Sequence, residues 1–134
     1  MKKKLVIIIL ILVILATLSI IIYNLFFKPI VIIADAPTWP GGLTPQVMPH
    51  YIKIDKAGRK YEGYYEKEME KVKTFDSETM KILNEKLSLL YNEIKDTGES
   101  YGSYRITIYG KTYNIDEFSE QATSIYKEIR EIID

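Results

Sequence analysis

Hydrophobic positions follow two regimes along the chain. From Leu5 to Phe27, 23 consecutive residues carry no charge, and most are Ile or Leu. Beyond Lys28, apolar residues recur at spacings of two, three and four among charges and tyrosines. The first regime predicts a membrane-spanning helix, since 23 residues at 1.5 Å each cover about 34 Å against a hydrocarbon core of about 30 Å. The second predicts a small folded domain. This divides the 134 residues into a basic start at 1–4, a transmembrane helix at 5–27, a juxtamembrane Pro/Gly-rich segment at 28–50 and a folded domain at 51–134.

Within the domain the period changes from element to element. Ile52 and Ile54 alternate with Lys53 and Asp55, then Lys56-Ala57-Gly58-Arg59 supplies a turn, which reads as a hairpin over Tyr51–Tyr65. A four-residue loop there sets Ile54 opposite Tyr61 and Ile52 opposite Gly63. Asp76 is placed as a helix N-cap. Met80, Leu83, Leu87, Leu90 and Ile94 then form one apolar stripe, closed by Lys95 and Gly98. Gly110-Lys111 fits a type II′ turn with glycine first, setting Ile108 opposite Tyr113 and Ile106 opposite Ile115. Phe118, Ala122, Ile125, Ile129 and Ile132 mark a final helix. Hairpin, helix, hairpin, helix predicts an α+β domain, with antiparallel hairpins and two amphipathic helices packed on one sheet face.

The segment between anchor and domain has two parts. Ile30–Ala34 is apolar and β-branched enough for a short strand. Residues 37–49 hold four prolines, which forbid regular helix, and Gly41-Gly42 provides a turn. Ala34-Asp35-Ala36 resembles a signal-peptidase site, but Pro37 would sit at the scissile bond and the apolar run is longer than a signal core, so the helix is expected to stay as an anchor. Lys2, Lys3 and Lys4 precede it and only Lys28 closely follows, which sets the N-terminus in the cytoplasm and the domain outside, as a single-pass protein of the cell membrane.

Charge and composition narrow the function classes. Of 18 basic residues, those four lysines flank the anchor, leaving 14 against 18 acidic residues, a net of −4. Nucleic-acid binding needs a basic footprint and is not expected. The absence of cysteine excludes disulfides, thiol catalysis and thiolate metal sites, and suits a bacterial cell surface. His50, the one histidine, stands in no nucleophile context, and Glu66, Glu68 and Glu70 read as solvated charge. No catalytic, cofactor or metal residues are assigned. The eleven tyrosines are the one oddity. Trp39, Tyr64 and Tyr109 are the candidate contact residues, the two tyrosines on the sheet face away from the helices. The expected partners are the lipid bilayer, through residues 5–27, and a protein outside the cytoplasm. A non-catalytic interaction module follows; the alternatives are a small hydrolase using acidic residues and an accessory subunit whose helix contacts a larger membrane complex.

Overall fold

A computed structural model describes residues 1–35, 50–64, 68–102 and 104–134. Helix α1 (Lys2–Ile22) continues through a π-helical turn at Tyr23–Phe27, giving 26 residues long and apolar enough to cross a membrane. An N-terminal helix of this kind suits a membrane anchor and a signal sequence alike. No residue of α1 is buried. Its few polar side chains are satisfied within the helix: Thr17, Ser19 and Asn24 donate to the carbonyls of Val13, Leu15 and Ile20. Such back-bonding removes the need for a partner helix to satisfy these side chains in an apolar medium.

One residue, Lys28, separates this helix from the sheet. The domain is α+β. Its strands are β1 (Pro29–Asp35), β2 (His50–Asp55), β3 (Arg59–Gly63), β4 (Glu70–Thr74), β5 (Arg105–Ile108) and β6 (Lys111–Asn114). They form one antiparallel sheet in the order β4-β3-β2-β1-β5-β6. The apolar run next to the anchor is therefore a central strand, paired with β2 on one side and β5 on the other. A continuous Ile-Val-Ile-Ile-Ala run fits a position flanked by partners on both sides.

Helices α2 (Ser77–Ile94) and α3 (Glu120–Ile133) complete the domain. Asp76 caps α2 by accepting from the Thr79 amide at 2.7 Å, and Ser119 caps α3 by accepting from Ala122 at 3.2 Å. The whole expected stripe of α2 is buried. Those five residues, together with Ala122, Ile129 and Ile133 of α3, join Val31, Ile33, Ile52, Ile54, Ile106 and Ile108 in one apolar cluster. Each such Ile or Leu, withdrawn from water, contributes roughly 1.5–3 kcal/mol. The buried Lys60 donates to the Ile133 carbonyl at 2.9 Å, closing the C-terminal end of α3, and pairs with Glu62 at 2.7 Å.

Both hairpin registers differ from expectation. The β2–β3 loop is Lys56-Ala57-Gly58, one residue shorter, and Ile54 pairs with Lys60, Lys53 with Tyr61 and Ile52 with Glu62. The cause is Asp55. One of its carboxylate oxygens accepts from the amides of Ala57 and Arg59, both at 3.0 Å, while Gly58 takes φ +84°. That side-chain turn draws Arg59 back to the strand start. In the second hairpin the loop is Tyr109-Gly110, with φ of 53° and 78°. Two positive φ angles match a type I′ turn, and Ile106 faces Tyr113 while Thr107 faces Thr112.

Candidate functional site

Side chains of the sheet sort into two faces by alternation. One face carries the cluster residues Val31, Ile33, Ile52, Ile54, Ile106 and Ile108. On the other, a row runs across five pairings through Lys71, Tyr61, Lys53, Ile32, Thr107 and Thr112. The next row reads Gly63, Tyr51, Ala34, Arg105 and Asn114. The two rows hold three cations and no acid.

Contacts within these rows hold two of the three cations, Lys53 and Arg105, over aromatic rings. Lys53 Nζ stands 4.6 Å from the centre of the Tyr61 ring. Arg105 donates to the Tyr51 hydroxyl at 3.1 Å, its guanidinium 5.7 Å from that ring. The Thr107 and Thr112 hydroxyls lie 2.9 Å apart. Ala34 is buried where Tyr51 and Arg105 flank it on the neighbouring strands, whereas Tyr51, Lys53, Tyr61 and Arg105 themselves are half-buried. Cations pre-positioned beside tyrosines make a surface suited to binding anionic groups with little ordering cost.

Of the sequence-derived contact residues, Tyr109 and Tyr64 lie among the described residues. Tyr109 was expected away from the helices, but its position in the turn sends its ring edge-on to Tyr91 of α2, with centroids 5.1 Å apart. Tyr64 lies just past β3, exposed, with its ring edge-on to His50 at 5.7 Å. Trp39 lies outside the described residues. Tyr51 and Tyr61, not singled out from the sequence, occupy the sheet face opposite the cluster residues. Tyr113 belongs to the interior, and Tyr126 packs half-buried against it. Withdrawal from water raises both phenols above the usual tyrosine value, and for Tyr126 the nearby Arg130 charge opposes that effect.

A groove of about 640 Å³ at the far end of β2–β4 gathers His50, Glu62, Tyr64, Glu68 and Glu70. His50 Nε2 stands 3.9 Å from Glu62, beyond hydrogen-bond reach, and Lys60 already engages that carboxylate. Tyr64 brings the one hydroxyl to its lining, and no thiol is present. Among the described residues, no group of three or more His, Asp or Glu is disposed to hold a metal. Compared with known protein families, with curated proteins and with solved structures, the chain has no match.

Proposed function

We propose that the chain is a single-pass membrane protein whose domain stands outside the cytoplasm and acts as a non-catalytic interaction module. Both amphipathic helices lie on the face lined by Ile33, Ile52 and Ile106, and the opposite face receives a protein partner through Tyr51, Tyr61, Lys53 and Arg105. One observation carries this reading: two adjacent rows of that face hold cations and tyrosines without an acid, in a domain that is acidic as a whole. Aromatic and Arg side chains are the types most enriched at protein contacts. Exposed Tyr64 and Trp39 are secondary candidates.

Two features support a retained anchor. The lysine bias favours an N-terminus inside. A cut after Ala36 would also leave the central strand attached to the discarded helix. Cross-linking in intact cells, followed by identification of the captured protein, tests the contact face. Replacing Lys53 and Tyr61 together by Ala should reduce capture about tenfold, as expected for hot-spot positions, with the thermal midpoint little changed. Undiminished capture removes the sheet-face reading. Protease added to whole cells should digest the domain; a domain cut in lysed cells alone reverses the orientation.

A further inference from the structure

The strand pairings divide the domain's charge along its long direction. Pro29 pairs with Asp55, Arg59 with Thr74 and Ile108 with Lys111, so the Asp55–Arg59 turn, the end of β4 and the Tyr109-Gly110 turn all lie at the end where α1 enters. That edge carries Lys28, Lys56, Arg59, Lys73 and Lys111. Four of the five are exposed, and the fifth, Arg59, is half-buried. The nearby acids are Asp55, engaged by Arg59 at 2.7 Å; Asp76, engaged by the Thr79 amide; Glu99, engaged by the Thr112 amide at 3.2 Å; Glu78, in the first turn of α2; and Glu85, which shares a groove with Lys56. The opposite edge carries the acids Glu62, Glu70, Asp116 and Glu117, with Arg105 and Arg130 among the nearby cations.

The basic edge is also fastened to the helix end. Arg59 donates to the Phe26 carbonyl at 3.2 Å, and its guanidinium lies 4.4 Å over the Phe27 ring. The Lys56 amide donates to the Lys28 carbonyl at 3.1 Å. The edge therefore has a fixed height relative to the end of the apolar helix, level with aromatic residues that suit a membrane interface.

We propose that this edge is a lipid-contact surface whose partner is the acidic phospholipid headgroup layer around α1, so that the domain is seated on the bilayer with its acidic end outward. The proposal rests on the anchored reading, and two kinds of evidence favour this occupant: charge complementarity and continuity with the apolar helix. Clustered lysines near an anionic surface gain about 1 kcal/mol each, a fivefold shift per lysine between seated and lifted states.

The test uses the full chain in lipid nanodiscs. Because it has no cysteine, Ser77→Cys at the basic edge and Asp116→Cys at the opposite edge, just past β6, each accept one dye, quenched by lipids with nitroxide headgroups. The Ser77 site should be quenched strongly in discs containing phosphatidylglycerol and weakly in pure phosphatidylcholine. The Asp116 site should be quenched in neither. Changing Lys56, Lys73 and Lys111 to Gln should return the Ser77 signal to its neutral-lipid level, with circular dichroism unchanged. Equal quenching in both lipids, an unaffected triple variant, or equal quenching at both sites overturns the proposal. A chain that fails to enter discs at all refutes the anchor itself, a distinct readout.

Discussion

The two hairpins on either side of β1 solve the same problem with different parts. In β2–β3 a side chain builds the turn: buried Asp55 takes two amides and the Arg59 guanidinium, and Gly58 sits tightly against Phe75. In β5–β6 the backbone builds it alone, with Tyr109 and Gly110 both at positive φ and nothing within 4 Å of Gly110. The first turn is wired into its surroundings, since the Gly58 carbonyl also accepts from the Phe75 amide at 2.8 Å. The second lacks such a backbone tie, and only the Tyr109 ring reaches a neighbour, Tyr91 of α2. A turn built from side-chain hydrogen bonds fixes register against neighbouring elements; one built from φ angles fixes it locally.

The most severe way to break the comparison is to remove what joins the hairpins. A chain beginning at residue 37 lacks β1, and with it the ladders to β2 and β5 and the burial of Val31, Ile33 and Ala34. That loss exceeds roughly 5 kcal/mol, comparable to a small domain's whole stability. We expect no cooperative denaturant unfolding, whereas a chain beginning at Lys28 should retain it; cooperative unfolding of the shorter chain would refute the central role of β1.

A gentler comparison substitutes alanine at the two turn glycines. At Gly110 the cost should be about 1 kcal/mol, the strain of a left-handed alanine. At Gly58 the same strain is joined by a Cβ 2.9 Å from the Phe75 carbonyl oxygen and 3.1 Å from Met80. Gly58→Ala should cost roughly 2–3 kcal/mol in urea titrations. Equal costs would mean that the first turn is not wired in as described.

The smallest effect concerns Asp76, next to that wired turn. The Thr79 amide, and then the Thr79 side chain, hold its carboxyl below the usual value. A carboxyl with a depressed folded-state pKa contributes stability above the unfolded value, and this is lost as pH falls through the folded one. The difference in melting temperature between the native chain and Asp76→Ala should therefore persist at neutral pH and shrink below about pH 4. A difference independent of pH would mean that the cap acts without its charge.

Why the two registers were illegible, although the helices were not, follows from the same contrast. The stripe of α2 depends on spacing alone, and all five positions are buried as expected. The length of the β2–β3 loop depends on hydrogen bonds that Asp55 makes only once folded, and the shift it causes is one residue. An odd shift exchanges faces, so Tyr61 lies not on the expected interior side but on the face opposite the cluster residues. In β5–β6 the shift is two residues. An even shift preserves faces, so Ile106, Ile108 and Tyr113 remain interior despite the wrong turn. Tyrosine seldom takes positive φ, which hid the true turn; the Tyr91 contact accompanies it here.

The single-residue junction at Lys28 has a mechanical side. Strand β1 leaves the helix lengthwise and is held along both flanks by antiparallel neighbours. Tension applied through α1 therefore loads the two ladders in shear, many hydrogen bonds sharing the pull together, instead of unzipping them one by one from an edge. With Arg59 clasping Phe26 and Phe27, rotation of the helix about its axis is passed to the sheet as torque, so any tilt of one becomes a tilt of the other.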